Sequence, residues 1–532
     1  MNTKKHIQKA LMLTALFLSQ TFLFANNIQV NNVRIVEQNI ASKYTMIEFD
    51  VSWENSWRTS SLENNWDAAW IFAKYRKKGE TVWNHVYLND SGHIAPAGSE
   101  ITPGFVVTNI SFDSINNPAV GVFLYRDSDG VGNVNYTDVQ LRWNYGVNGL
   151  DDKDSVELSV LAIEMVYIPT GPFYAGDGVF PGSDSRGHFV AGNTTRTFKI
   201  TSEAAITINN NASTELWGDY TPYAQASIGQ SGMLSAQFPK GYQSFYIMKY
   251  ELSQYMYKEF LNKLTRKQQA ARVSAITTGM FMSNTDTDTV PQFRNSIRVM
   301  SDPGDPFSRI YGNDLNGNGV EGEMDDGQHI ACNWISFWDL TAFADWCGLR
   351  PFTELEYEKA CRGHLLPVAN EYAWGTTNIF SATQIINPGE INEVAINPIG
   401  KANIANGDKP GVQGPVRCGS FAGTATTREQ AGAGYYGVME MSGNLLEYTY
   451  SVGIQDNREF NGNNHGDGII MENGDGNANW PTSAGIKGSN WLYNTAGHHI
   501  NFHQISSRNQ TSQSHTRFRY NTTGLRLGRT QP

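Results

Sequence analysis

Apolar and polar positions first follow a period of two. In Met46-Ile47-Glu48-Phe49-Asp50-Val51-Ser52-Trp53 the large apolar side chains alternate with acids and a hydroxyl, which is the pattern of a half-buried strand. Ile35-Val36 and Val122-Phe123-Leu124-Tyr125 are further short runs of β-branched or aromatic character. The turn clusters Asn89-Asp90-Ser91-Gly92 and Asp127-Ser128-Asp129-Gly130 separate such runs. Short strands with frequent turns predict an all-β sandwich over residues 26–159. That architecture serves adhesion, carbohydrate binding and scaffolding alike, so it assigns no role.

From residue 160 the period changes. VLAIEMVYIPTGPFYAGDG predicts a strand, a turn and a glycine bend. FYIMKYELSQYMYKEFLNKL predicts a strand and then an amphipathic helix capped by Ser253, with Tyr257, Leu261 and Leu264 at helical spacing. After Trp334-Ile335, Ser336 and Asp339 occupy capping-box positions, and Phe337, Leu340, Phe343, Ala344 and Cys347 supply an apolar face. In RPFTELEYEKACRG, Thr353 and Glu356 form another capping box, with Phe352 and Tyr357 as the hydrophobic staple. Glu354 and Glu356 in a first turn complement the helix dipole, so these carboxylates read as capping rather than catalysis.

Composition narrows the picture. The chain has 532 residues, enough for two or three domains with real cores, and is 40% hydrophobic. A net charge of −11 with no basic stripe argues against nucleic acid as a partner. Lys4, Lys5 and Lys9 followed by an apolar run over 10–24 and a small residue at Ala25 predict a signal peptide, residues 1–25. No second long apolar run follows, so the mature chain is expected to have no membrane span and to lie outside the cytoplasm, whether periplasmic, surface-bound or secreted. The four cysteines, Cys332, Cys347, Cys361 and Cys418, show neither a CxxC pair nor a zinc spacing, and their pairing is open.

GLRPFTELEYEKACRG, EYAWGTT, GYYGVMEMSGNLLEYTY and TTGLRLGR, in that order, together with Trp334-Ile335-Ser336, resemble the motifs of the formylglycine-generating enzyme (sulfatase-modifying factor) family. The resemblance implies an α+β C-type-lectin-like domain over 160–532, behind the all-β sandwich domain, with an insertion-rich middle over 196–237. Enzymes of that family oxidise a substrate cysteine through a copper-binding cysteine pair close to a GGS-like motif. Here the matching segment is Lys487-Gly488-Ser489-Asn490-Trp491, and no cysteine follows Cys418. Cu(I) requires soft thiolate ligands. No copper is expected, and formylglycine synthesis by the usual route is not.

Calcium is the expected ion. In DLNGNGVEGEMD, oxygen donors Asp314, Asn316, Asn318 and Asp325 and the Val320 carbonyl fall at the spacing of a calcium-binding loop, with Gly319 at its sixth position. The resemblance adds Asn444 and Glu447 of a Gly-Asn-x-x-Glu segment as structural calcium ligands. It also points to Asn403-Ile404 for a second family site, whose downstream acid is missing. His498, His499, His503 and His515 read as loop histidines rather than a metal centre.

The closing run from Gly488 to Arg529 has no Asp, Glu, Lys or Cys and is rich in Asn, Ser, Thr, His and aromatics. By the resemblance it occupies the family's cleft. Trp491, Tyr493, His498, His499, Asn501, Phe502, His503, Arg508, Asn509, Tyr520 and Asn521 are the expected ligand-binding residues, of the types that recognition loops favour. The run is also similar to the variable regions of diversity-generating-retroelement proteins, whose adenine-directed mutagenesis yields such a residue set. The reading is a secreted or surface-exposed protein that binds an unidentified protein or glycan. The alternatives are an atypical metal-dependent oxidase of the family and a structural component of an envelope machine for gliding or secretion.

Overall fold

The computed structural model describes residues 27–105, 118–178, 188–218, 231–396, 412–422, 427–492, 501–511 and 517–532. The expected signal peptide lies outside them. Eight strands open the chain: β1 (Gln29–Asn39), β2 (Tyr44–Arg58), β3 (Asp67–Lys77), β4 (Asn84–His85), β5 (Ser99–Phe105), β6 (Ala119–Arg126), β7 (Gly130–Trp143) and β8 (Val156–Ile168). β1, β2 and β7 make a three-stranded sheet in the order β1-β2-β7. β5, β6, β3 and β8 continue into the strands Phe245–Met248 and Gly528–Thr530, and with β4 alongside β3 they make a seven-stranded sheet.

β3 explains the arrangement. Its sequence DAAWIFAKYRK is nearly continuous in apolar residues, which suits a strand covered on both faces. Ala69, Ile71 and Ala73 point into one cluster with Ile47, Phe49, Val51 and Trp53 of β2 and Val139 and Leu141 of β7, the interior between the two sheets. Trp70 and Phe72 point the other way, into a core shared with Tyr257, Phe260, Leu340 and Phe343 from two helices. The Trp70 indole donates to the Cys347 carbonyl at 2.8 Å and so ties the strand to the end of the second helix.

The expected domain boundary at 159/160 meets a continuous strand. It falls inside β8, which pairs with β3 along its length from Val156↔Lys77 to Val166↔Asp67 and also carries Phe245–Met248 on its other edge. One sheet serves both halves of the chain. A period change along the sequence marks where helices begin, and the sheet beneath them continues across it.

Helices are few and short, and strands dominate. The Gln254–Leu261 helix is capped by Ser253 as expected, and ends before Leu264, which remains buried in the same core. The Phe337–Cys347 and Glu354–Arg362 helices carry the expected capping boxes at Ser336/Asp339 and Thr353/Glu356. Gly348 closes the former at φ 76°, the left-handed cap that glycine adopts without a Cβ penalty. Among the described residues no helix is long and apolar enough to cross a membrane.

Candidate functional site

The closing run leaves and returns to a single small sheet. Leu446–Thr449 pairs antiparallel with Gly485–Lys487 and parallel with Thr523–Gly524, so residues 488–522 are an excursion pinned at both ends. The excursion starts with Gly488 and Ser489 in the left-handed region, at φ 86° and 64°. Trp491 follows, wholly buried, its backbone N–H donating to the Asn444 carbonyl at 2.9 Å and its indole to the Asn521 carbonyl at 3.0 Å.

Around Trp491 three segments meet. The Phe293 ring lies 5.3 Å from that of Trp491 and 6.1 Å from that of Trp334. The Asn333 amide donates to the carbonyls of Phe293 at 3.0 Å and Asn521 at 3.3 Å, and the Trp334 N–H donates to the Tyr520 carbonyl at 3.0 Å. Phe293, Arg294 and Trp334 all hold positive φ, at 49°, 63° and 62°. Bulky residues there are strained, and such strain concentrates at functional sites.

The outer side of this junction is aromatic and accessible. Phe518 is 67% exposed, Tyr520 40% and Phe293 36%, with Leu492 exposed beside Trp491. Phe518 and Tyr520 stand 6.3 Å apart. Between them Arg519 turns inward and grips Asp339 at 2.8 and 2.7 Å, while Arg517 lies over the Trp338 ring at 4.7 Å. The half-buried Arg519 thus anchors a strip whose apolar members face out. An apolar patch held on a rigid, hydrogen-bonded base suits recognition of a partner surface or a sugar ring.

The expected ligand residues divide. Tyr520 stands on this face; Asn521, Asn501 and Phe502 are half-buried. Tyr493, His498, His499 and His515 lie outside the described residues, as does Asn403-Ile404. Trp491, His503, Arg508 and Asn509 are buried rather than on the exposed face. Composition alone could not separate them, because a polar residue in a loop serves equally as contact or as internal strut. The exposed face also includes Phe293 and Phe518, with Trp334 buried beside Phe293; the alternation Arg517-Phe518-Arg519-Tyr520 is the sequence signal for Phe518.

Arg508 shows what the buried members do. Its guanidinium binds the Glu354 carboxylate through two bonds of 2.9 and 3.0 Å and lies 4.1 Å over the Phe189 ring. Burial pushes the Glu354 carboxyl up, but the Arg508 charge and hydrogen bonds more than offset it and hold the group below its usual range. Glu356 likewise binds Arg350, at 2.6 and 3.0 Å, and Glu358 binds Arg362 at 3.0 Å. The three glutamates of the 353–362 stretch therefore do more than cap a helix: each neutralises a buried arginine.

Asn444 and Glu447, expected as calcium ligands, are engaged by protein groups. The Asn444 side chain accepts from the Val416 N–H at 2.9 Å and donates to Glu251, while Glu447 receives Arg526 at 2.8 Å. The Arg526 guanidinium supplies the positive charge there. Cys332 and Cys347 belong to the main core, Cys361 and Cys418 to two other apolar clusters. Burial pushes the Cys347 and Cys361 thiols up to about 12 and those of Cys332 and Cys418 well above their ordinary value. Neutral thiols buried in three apolar clusters do not fit the paired thiolates that a soft copper ion needs.

In the 314–326 loop, Asp314 and Asp326 are wholly buried, whereas Asn316, Asn318 and Val320 are exposed. The Asn316 amide donates to Glu323 at 3.1 Å and Asp325 at 3.0 Å; the Val320 N–H donates to Asn318 at 2.7 Å. Glu323, Asp325 and Asp326 bring carboxylate oxygens within 4.8 Å of one another. The loop thus gathers two acids, Glu323 and Asp326, that the spacing pattern left out.

Residues 228–530 match the family model described as the sulfatase-modifying factor enzyme 1-like domain. No curated protein matches the chain.

Proposed function

The chain belongs to the sulfatase-modifying factor enzyme 1-like family, and on that premise we propose that it is a secreted or surface-exposed binding protein. In this reading the C-terminal half has the family's C-type-lectin-like fold and recognises a protein or glycan. The contact surface is the strip of Phe293, Phe518 and Tyr520, extended by Asn501, Phe502 and Asn521. The observation that carries the proposal is the exposed aromatic strip on an anchored base, where rigid rings offer contact area at little entropic cost. Catalysis by the family's copper route is set aside because the thiols are buried and dispersed. If the closing run is diversified by a retroelement, exposed positions such as Phe518 and Tyr520 would vary while Arg508 and Arg519 would not.

The test is binding of the purified mature chain to a glycan array and to immobilised extracellular proteins, beside a Phe518→Ala/Tyr520→Ala variant. Saturable binding lost in the variant is the expected result. Aldehyde formation on a cysteine-containing peptide, with stoichiometric copper in the protein, would replace this reading with an oxidase.

A further inference from the structure

An acidic cluster on a loop is common and by itself means little, but the 314–326 loop has a second property. Asp314 and Asp326 are both 0% exposed, and the Oδ1 atom of each has no hydrogen-bond partner. Their other oxygens are used: Asp314 Oδ2 accepts from Arg298 and from the Gly319 N–H at 3.0 Å, and Asp326 Oδ2 accepts from the Glu323 N–H at 2.7 Å. A buried carboxylate oxygen without a donor is costly. Two in one loop, beside Glu323 and Asp325, put four carboxylates against the single guanidinium of Arg298.

We propose that residues 314–326 form a calcium site, with the carboxylates of Glu323, Asp325 and Asp326 as ligands and Asp314 completing its negative lining. The donors are all oxygen, which selects a hard cation. Among hard cations calcium is favoured, because it takes many protein oxygens in flexible geometry where magnesium demands a near-ideal octahedron and keeps several waters. The three carboxylates lie within 4.8 Å of one another, close enough for one ion to touch them all.

The loop also marks where the ion goes. The Asn316 amide nitrogen bridges Glu323 and Asp325 as a donor, the place a cation would take. On binding, that amide turns to present its oxygen, the orientation of an Asn amide being set by its hydrogen-bond network. The ligands differ from an EF-hand set: Asp314 Oδ2 is committed to Arg298, and Glu323 and Asp326 come from the far end of the loop. Glu321 and Gly322, directly before these ligands, line a 410 Å³ cleft together with Tyr255, Met256 and Lys258. A loaded loop therefore stiffens one wall of that cleft.

The experiment is calorimetric titration of the EDTA-treated mature chain with calcium chloride and, separately, magnesium chloride, together with thermal unfolding in each salt. Expected is uptake of one calcium per chain, with a Kd of about 10⁻⁴–10⁻³ M as for extracellular modules. At about a hundredfold excess over Kd, Tm rises by about 2–3 °C. Asp326→Asn and the partly exposed Asp325→Asn each weaken uptake about tenfold or more, since ligand charge sets affinity; Asp325→Asn serves if Asp326→Asn does not fold. No saturable uptake up to about 10 mM calcium, ten times the weakest of that class, overturns the proposal. So does equal affinity for magnesium, or undiminished uptake in Asp325→Asn.

Discussion

Glu354 and Arg508, 154 residues apart in the chain, face each other through bonds of 2.9 and 3.0 Å with both side chains fully buried. Glu354 also accepts from the Ser451 hydroxyl at 3.0 Å and the Val452 N–H at 2.6 Å. The closing run is thereby fastened to the first turn of the Glu354–Arg362 helix. Its polar richness serves the interior as much as the surface.

Removing one partner of such a pair strands the other. Arg508→Met is expected to destabilise the protein by about 3–5 kcal/mol, measured by guanidinium unfolding. Adding Glu354→Gln should recover part of that loss, because the amide keeps an acceptor for Ser451 and Val452 without the unpaired charge. An unchanged unfolding midpoint in Arg508→Met, with ligand binding abolished, would return Arg508 to the recognition face.

The outer strip should behave oppositely. Phe518 is 67% exposed and its neighbour Tyr520 40%, so little core is lost when they are cut back. Phe518→Ala/Tyr520→Ala is expected to shift stability by less than about 1 kcal/mol, as surface substitutions do. The affinity for a ligand found on the arrays should fall about tenfold or more, as at aromatic contact centres. A large drop in Tm would show that the two rings are structural.

Local signals in the sequence were read well and distant ones were not. Ser253, Ser336/Asp339 and Thr353/Glu356 cap their helices as their spacing required, because a cap is decided within four residues. The strand Met46–Trp53 sits in β2 with Ile47, Phe49, Val51 and Trp53 inward, as its alternation predicted. What could not be read was partnership across the chain. Nothing near Glu354 announces Arg508, and nothing near residue 160 announces that β8 lies between β3 and Phe245–Met248. In the 314–326 loop the spacing named Asp314, Asn316, Asn318 and Asp325, whereas the folded loop gathers the carboxylates of Glu323, Asp325 and Asp326, because its turns rather than the spacing decide which acids meet.

Buried carboxyls set a pH dependence. Burial pushes Glu440 up from 4.5 to about 7, against the pull of Arg526, and one of its oxygens has no hydrogen-bond partner. The folded protein therefore binds more protons than the unfolded chain between those values. The stabilisation is complete below pH 4.5 and is lost as pH rises to about 7. Asp345, also raised to about 7 by burial, acts in the same direction. Glu440→Gln, which keeps an oxygen for the Gly419 N–H, should flatten this decline by at most about 3 kcal/mol. Unfolding midpoints at pH 5 and pH 8 for the two proteins measure it; parallel lines would mean that Glu440 is ionised throughout.

The shared sheet makes a prediction about dissection. Were the first 159 residues a separate domain, residues 160–532 would fold without them. In the structure that cut leaves β8 without β3, with which it pairs from Val156↔Lys77 to Val166↔Asp67, and it removes Trp70 and Phe72 from the core that holds Tyr257, Phe260 and Phe343. Trp70 packs against Gly104, Gly121 and Gly348 and bonds the Cys347 carbonyl. Losing a buried tryptophan costs about 3–5 kcal/mol, before the loss of the strand pairing is counted. A fragment of residues 160–532 is therefore expected to be aggregated or to lack a cooperative thermal transition, whereas the mature chain unfolds with the two halves coupled in one step. A fragment that is monomeric and melts cooperatively would show that the sheet can close without β3, and that the halves are independent after all.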